Sequence, residues 1–292
     1  MVSLLEWANA YLDFSKAHHI HNTYQEKVKA FRFLFRSVAP GLSVVDLSRL
    51  DAVSHFQDLA DAGRSGNAVN NDRKNLVAAW NWGLRYLPDF PALNPFLVER
   101  FAEERKPRYV PPLADFWRVL DQAESEQDRV FLLCYLYLAA RRSELFRLRV
   151  EDVDLSRRRM RLSTKKRLDG SLEYDWLPIA DALFSVLSGH LGRVAGPWVF
   201  VNPKTGKAYF ERAKWLKRLC RKAGVCPFGL HAIRHLTASI LAEEGVPLVQ
   251  IQQILRHKRL TTTERYIRSL GGCRDAVAVI PAPPSLSVVE RS

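Results

Sequence analysis

Apolar residues recur at helical spacing through the first hundred residues of the chain. The pattern is clearest over residues 24–35 and 68–87, where apolar side chains return every three or four positions. No strand signal of any strength stands beside them. Residues 1–103 are therefore predicted to form an all-helical domain, and the charged, proline-bearing segment 104–112 is predicted to be a linker.

The pattern changes in the following region, predicted to be a second domain over residues 113–271 with a tail over 272–292. Residues 132–148 present an apolar helix face. Residues 160–164 and 174–179 have the composition of two short strands, and Asp169 and Gly170 lie in the segment between them. The predicted fold class is mainly α, with a small antiparallel β-sheet in the second domain.

Residues that suit phosphodiester chemistry lie in the last third of the chain. His231 and Arg234 are three positions apart on a predicted helix, hence on one face, and the segment 245–247 ends that helix. Pro247 opens a second helix, which places His257 at or just past its end. The threonines at 261–263 can cap a third helix that carries Tyr266.

Two further cations lie upstream of this group. Arg141 precedes Glu144 by three residues on the apolar face, so Glu144 is expected to orient its guanidinium. Arg142 is the alternative to Arg141. Lys165 follows the first predicted strand, where it can reach a ligand as a mobile charge, and Lys166 is its rival.

The ordered set Arg141, Lys165, His231, Arg234, His257 and Tyr266 resembles the catalytic residues of tyrosine recombinases, the integrase and Xer-type site-specific DNA recombinases. The family motif T-G-x-R-x-S-E-L has its counterpart in L-A-A-R-R-S-E-L over residues 138–145. L-R-H over 255–257 is similar to L-G-H, and T-E-R-Y over 263–266 to T-x-x-Y. The resemblance covers residues 110 to 270.

The resemblance implies strand cleavage and rejoining through a 3′-phosphotyrosyl intermediate on Tyr266, without ATP, metal or other cofactor. Arg141 and Arg234 are suited to grip the phosphate oxygens, because a guanidinium offers paired donors and stays charged. His231 would accept the phenolic proton or contact the phosphate, His257 would donate a hydrogen bond, and Lys165 would protonate the 5′ oxygen.

The expected partners are double-stranded DNA at core recombination sites and three further copies of the chain, a homotetramer in the synapse. The helical first domain is expected to be the SAM-like core-DNA-binding domain, which closes on the duplex as half of a clamp. Polar residues of its 70–75 segment are candidate DNA contacts, with a solvated face as the alternative. The apolar segment 276–280 of the tail is expected to dock on a neighbouring protomer, against the alternative of a disordered tail.

Two residues depart from the family pattern. Ala139 and Arg256 replace glycines, so a backbone geometry that needs positive φ would be strained or lost there. Neither substitution is expected to touch a group that does chemistry. They affect the expected loop geometry and rate, not the reaction class.

Composition agrees with a polyanionic partner. Lysine and arginine number 44 against 31 acidic residues, a formal net charge of +13 over 292 residues. Four cysteines have no zinc-like spacing, and nothing resembles a secretory signal or a long apolar span, so a cytoplasmic, nucleoid-associated protein with reduced thiols is expected. Basic residues cluster as a predicted phosphate-tracking face at Lys204, Lys207, Arg212, Lys214, Lys217, Arg218, Arg221 and Lys222.

Two other function classes share part of this pattern. A type IB topoisomerase-like nicking and closing enzyme has the same chemistry without paired sites, and a DNA-binding protein that has lost catalysis has only the binding surface. The length and the T-x-x-Y context favour the recombinase over the first, and the complete residue set favours it over the second.

Overall fold

The computed structural model describes residues 1–104, 109–164 and 171–259. By its internal contacts the chain divides after Lys106 into two compact units. Within the described ranges, no helix has the length and apolarity that crossing a membrane requires. Lys165, Lys166, Tyr266, the threonines at 261–263 and the tail segment 276–280 lie outside the described residues.

The first unit is helical, as its periodicity predicts. Two serines begin helices through capping boxes: Ser3 with Glu6 and Ser48 with Asp51. The helices, in chain order, are α1 (Leu4–His18), α2 (His21–Ser37), α3 (Arg49–Asp61) and α4 (Gly66–Tyr86). They pack around two buried tryptophans, Trp7 and Trp80, whose rings meet edge to face with centroids 5.2 Å apart.

Part of the polar segment 70–75 is structural. Asn70 is buried, and its amide donates to the Phe101 carbonyl at 2.9 Å and accepts from the Phe101 amide at 3.0 Å. The Arg73 Nε donates to the Val98 carbonyl at 2.7 Å. These two side chains hold the end of the unit against α4, whereas Lys74 is exposed.

The second unit combines helices with a three-stranded antiparallel sheet in the order β1-β2-β3. Its helices are α5 (Leu113–Asp121), α6 (Glu126–Leu138), α7 (Arg142–Phe146), α8 (Asp181–Leu191), α9 (Ala213–Lys222), α10 (Leu230–Glu243) and α11 (Leu248–Leu255). The strands are β1 (Val153–Asp154), β2 (Arg159–Thr164) and β3 (Glu173–Pro178).

The predicted antiparallel hairpin is present as β2 and β3, with Met160 paired to Leu177 in register. The strand β1 was not predicted, because two residues are too few to show an alternating pattern. Residues 132–148 also differ from the expected single helix face. The chain forms α6, breaks at Ala139 and starts again as the short α7.

Helix α6 contributes most of its length to the second unit's core: from Val130 to Leu138 every residue except the partly exposed Tyr137 is buried. Arg212, at the start of α9, also lies inside this unit. Its guanidinium donates to Asp128 at 2.6 Å and packs over the rings of Tyr209 and Trp215. The assignment of Arg212 to a phosphate-tracking face was therefore wrong. Lys214, Lys217 and Arg221 of the same stretch are exposed.

Candidate active site

Arg141 stands at the start of α7, as the residue before its first turn. Its Nη1 donates to Glu144 Oε1 at 2.7 Å, and its backbone amide donates to Glu144 Oε2 at the same distance. The predicted contact between the two residues is thus present. The Glu144 side chain is 1% exposed and that of Arg141 is 25% exposed, so a buried carboxylate holds a guanidinium that still reaches solvent.

The neighbouring Arg142 does not compete for this position. Its side chain is half exposed and pairs with Glu211 at 2.9 Å. The two arginines point in different directions at the start of α7. Of the two, only Arg141 contacts the buried carboxylate of Glu144. The geometry favours Arg141 as the sequence does.

The break between α6 and α7 depends on a left-handed residue. Ala139 has φ 44° and ψ 40°, a conformation that costs a side-chain-bearing residue about 1–2 kcal/mol. An alanine here therefore adopts a left-handed geometry that a glycine would adopt without strain. The carbonyl of Ala139 accepts from Arg234 Nη1 at 2.5 Å.

Arg234 comes from α10 and is fully buried. Helix α10 ends at Glu243 and is followed by Gly245 at φ 71°, a left-handed residue of the kind that commonly terminates helices. Arg234 Nη2 donates to the carbonyl of Leu255, the last residue of α11. That same carbonyl accepts from Arg141 Nη2 at 3.3 Å. The two arginines from separate helices thus meet at one backbone oxygen.

Arg256 is the residue that sequence reasoning missed. It follows α11 in the left-handed region, with φ 52°, and its side chain is 2% exposed. Its Nη2 donates to Glu144 Oε2 at 2.7 Å, and its Nη1 to the Leu138 carbonyl at 3.1 Å. The sequence analysis expected this substitution to touch no group that does chemistry; its side chain does contact Glu144, the supporting carboxylate that holds Arg141. The signal available was an arginine beside an apolar helix end, which needs a partner when buried.

Electrostatics in this cluster favour an ionised Glu144. Burial acts to raise the pKa of Glu144, but the charges of Arg256 and Arg141 and the Arg141 amide outweigh it and leave that pKa below its ordinary value. Burial lowers the pKa of Arg256, and the charge of Glu144 opposes this. A guanidinium remains charged at neutral pH nevertheless.

Two histidines border the cluster. His231 is exposed at the start of α10, and its ring lies edge to face with that of His235, centroids 4.8 Å apart. His257 follows Arg256, whose carbonyl accepts from Arg141 Nη2 at 2.9 Å. Gln252 Nε2 donates to the His257 carbonyl at 2.9 Å. The backbone that carries His257 is therefore fixed on both sides of its α-carbon.

With this geometry in view, similarity to known proteins identifies the chain's family. Residues 110–271 match the phage integrase family, a stretch that contains all six residues of the predicted set. The chain belongs to the phage integrase family. Tyrosine recombinase XerA of Pyrococcus furiosus is 29% identical over 148 residues, 49% of this chain and 50% of that protein. Tyrosine recombinase XerC of Bifidobacterium longum is 28% identical over 156 residues, 49% of this chain and 44% of that protein.

The chain thus spans about half the length of the curated relatives it matches. Solved structures show the shared fold over a longer stretch. The Tn1549 transposon integrase in complex with transposon right end DNA has a TM-score of 0.75 at 17% identity, covering 95% of this chain and 100% of that one. A lambda integrase tetramer bound to a Holliday junction has a TM-score of 0.75 at 15% identity, covering 91% and 77%.

In this phage integrase family member a cleft of about 950 Å³ lies next to the cluster, and Arg256 is one of its lining residues. Residues of β3 line one side, and residues of α11 with Arg256, His257 and Lys258 line the other. Lys258 Nζ pairs with Glu173 at 3.1 Å across it. Among the described residues, no group of histidine, cysteine and acidic side chains is placed to hold a metal ion.

Proposed function

We propose that this chain is a site-specific DNA recombinase that cleaves and rejoins strands through a 3′-phosphotyrosyl intermediate, without ATP or metal. The observation that carries the proposal is the meeting of Arg141 and Arg234 at the Leu255 carbonyl, two residues before His257, within the stretch that matches the family. Separate helices bring the predicted arginines to one place. A guanidinium can donate two parallel hydrogen bonds to a phosphate. Arg141 still reaches solvent, whereas Arg234 is fully buried and donates to the Ala139 and Leu255 carbonyls, so its contact with a phosphate would require those hydrogen bonds to be exchanged.

The proposed reaction is an exchange of one phosphodiester for another. The Tyr266 oxygen attacks phosphorus, the bond from phosphorus to the 5′ oxygen breaks, and a 3′-phosphotyrosine forms. The phenolic proton goes to His231, and Lys165 gives a proton to the departing 5′ oxygen. Ionising a phenol with a pKa of about 10 at neutral pH costs roughly 4 kcal/mol, which the neighbouring cations offset.

Arg141 and Arg234 would stabilise the additional negative charge of the pentacoordinate transition state, with His257 donating a further hydrogen bond. A donor that is already oriented is worth more than one that must reorganise during the reaction. Glu144 has a supporting role in this scheme. It holds Arg141 at 2.7 Å while leaving a quarter of that side chain exposed to the incoming phosphate.

The proposed partners are double-stranded DNA with core recombination sites and further copies of the chain, four in the synapse. The net charge of +13 supports a polyanionic partner. Residues 1–103 would form the core-DNA-binding domain and 113–271 the catalytic domain, with 104–112 as linker and 272–292 as a tail that docks on a neighbour. A DNA substrate of this kind assigns the protein to the cytoplasm and its nucleoid.

Covalent trapping tests this proposal. The protein, Tyr266→Phe and the control Tyr174→Phe are incubated in EDTA with nicked duplexes carrying candidate sites from the DNA beside the gene. Tyr174 is 49% exposed on β3 and lines the cleft, so it tests whether a second accessible hydroxyl near the site forms the adduct instead. An SDS-resistant adduct is expected with the parent and with Tyr174→Phe, and none with Tyr266→Phe.

Two results would contradict the proposal in different ways. No adduct on a site that the parent demonstrably binds would favour a DNA-binding protein without catalysis. An adduct that leads to relaxation of supercoiled DNA, but never to strand exchange between paired sites, would favour a nicking and closing enzyme of the topoisomerase IB type.

A further inference from the structure

Position 256 carries a buried arginine where the L-G-H motif that the sequence resembles has a glycine. The side chain is 2% exposed although the residue stands in a turn after α11. Its φ of 52° is a conformation that glycine adopts without strain and arginine does not. A strained, desolvated cation persists only where the surrounding structure holds it, and such positions cluster at functional sites.

The Arg256 guanidinium joins the two turns of the cluster. Nη1 donates to the carbonyls of Leu138 at 3.1 Å and Ile254 at 2.7 Å, and Nη2 donates to the Ala139 carbonyl at 3.3 Å. One side chain therefore connects the end of α11 to the left-handed turn between α6 and α7. The positive-φ residues Ala139 and Arg256 are stabilised by a shared set of hydrogen bonds.

The same guanidinium reaches the carboxylate that orients Arg141. Glu144 Oε2 accepts from Arg256 Nη2 at 2.7 Å, while Glu144 Oε1 accepts from Arg141 Nη1 at 2.7 Å. The carboxylate is thus held from both sides, and its rotation is fixed by two cations. Arg141 in turn donates to the Arg256 carbonyl at 2.9 Å, which closes the network.

We propose that Arg256 is a positioning residue for strand transfer, which acts through Glu144 to hold the Arg141 guanidinium in its phosphate-binding orientation. This inference rests on the proposed function. Arg256 would not touch the phosphate. Its effect on rate arises because a misplacement of a catalytic group by about 1 Å can cost roughly 100-fold.

If Arg256 acts through Glu144, replacing Arg256 should change the pH dependence of the cleavage rate. A loss of packing alone would not change it. The charged and titratable groups around Glu144 come from three places: Tyr135 on α6, Arg141 and Arg147 at the two ends of α7, and Arg256 after α11. Burial of Glu144 acts to raise its pKa, and Arg256 is the strongest opposing charge. Without Arg256 the pKa of Glu144 should rise, and the acid limb of the cleavage rate should move to higher pH.

The experiment compares Arg256→Gly and Arg256→Lys with the parent. Adduct formation on a nicked core site is timed from pH 5 to 9, with DNA affinity and thermal unfolding measured alongside. Arg142→Lys is the matched control for Arg256→Lys, because Arg142 is exposed and pairs with Glu211 instead. The Arg256 variants are also made with Glu144→Gln, and the Glu144 carboxyl is titrated by carbon NMR in the parent and the single variants.

The expected results follow from the network. Arg256→Gly should lose about tenfold to 100-fold in adduct rate with unchanged DNA affinity. Arg256→Lys should recover part of that rate, because it keeps the charge but not the planar fork. Arg256→Gly should show an acid limb and a Glu144 pKa moved upward, and Arg256→Lys, which keeps the charge, should show a smaller shift in the same direction. Neither should add much loss to Glu144→Gln. If Arg256→Gly does not fold, Arg256→Lys carries the same comparison.

Equal rates and equal acid limbs for parent and variants would overturn the proposal. So would a loss of the same factor at every pH that multiplies with the loss from Glu144→Gln, since that describes a packing role. If no protein forms an adduct on bound DNA while the Glu144 titration still moves with Arg256, the proposed function fails and the positioning of Glu144 by Arg256 stands.

Discussion

Two arginine–carboxylate pairs in the second unit have nearly the same length and opposite exposure. Arg212 and Asp128 meet at 2.6 Å with side chains 7% and 8% exposed. Arg141 and Glu144 meet at 2.7 Å with side chains 25% and 1% exposed. In the first pair both partners are closed to solvent, whereas in the second only the carboxylate is. Ion-pair distance alone does not distinguish an arginine that is closed inside the fold from one that still reaches solvent.

The surroundings explain the difference. Three aromatic rings, those of Phe131, Tyr209 and Trp215, pack against the Arg212 guanidinium with centroids 3.8 to 5.1 Å away. Rings cover the cation on its faces and stabilise it by cation–π attraction. Around Arg141 the partners are the carboxylate of Glu144 and the backbone carbonyls of Leu255 and Arg256 at the end of α11. Such partners lie at the edge of a guanidinium and fix its direction while part of it still reaches solvent.

The largest expected effect is on the closed pair. Arg212→Met removes a cation from a buried pair and leaves Asp128 charged and desolvated, so the free energy of unfolding should fall by about 3–5 kcal/mol. Urea unfolding followed by tryptophan fluorescence measures it. Adding Asp128→Leu removes the stranded charge and should recover much of the loss. A single variant as stable as the parent would show that the aromatic rings, not the ion pair, hold α9.

The open pair should respond in rate rather than in stability. Arg141→Lys keeps the charge but loses the forked donors, so adduct formation should slow by roughly 100-fold to 1000-fold with little change in unfolding. Rates on a nicked core site measure this, with DNA affinity as a check on binding. Arg142→Lys, next along the chain, should keep the parent's rate. An Arg141→Lys protein that is equally fast but unstable would place Arg141 in the structural class with Arg212.

The smallest expected effect is at Ala139, whose carbonyl accepts hydrogen bonds from Arg234 and Arg256. Ala139→Gly should raise the free energy of unfolding by about 1 kcal/mol, because glycine adopts the φ of 44° without steric cost. Thermal or urea unfolding measures the gain. The matched control is Ala140→Gly, buried and without positive φ, which should lose stability. A loss at position 139 would mean that the Ala139 methyl group contributes more by packing than its backbone costs in strain.

Much of this arrangement could be predicted from sequence. Helix periodicity and end signals located α10 and α11, and the three-residue spacing from Arg141 to Glu144 predicted their contact. These are local relations, set by residues a few positions apart. The hairpin of β2 and β3 was predictable for the same reason.

The parts that failed depend on distant residues. Arg212 was counted with the surface lysines near it because its partner Asp128 lies 84 positions away. Arg256 was treated only as a replaced turn glycine, with effects on loop geometry and rate, because its partner Glu144 is 112 positions away and nothing local says that its side chain turns inward. Charge composition shows that cations are present but not which of them a fold encloses.

The shared carbonyl of Leu255 has a consequence for how this protein can vary. Successive residues of a helix are rotated by about 100° around its axis, so inserting or deleting one residue in α11 would turn that carbonyl away from Arg141 and Arg234 together. Neither arginine could keep its place independently of the other. The number of residues between Pro247 and Arg256 is therefore constrained. Homologues should accept substitutions along the exposed face of α11 but no insertion or deletion within the helix.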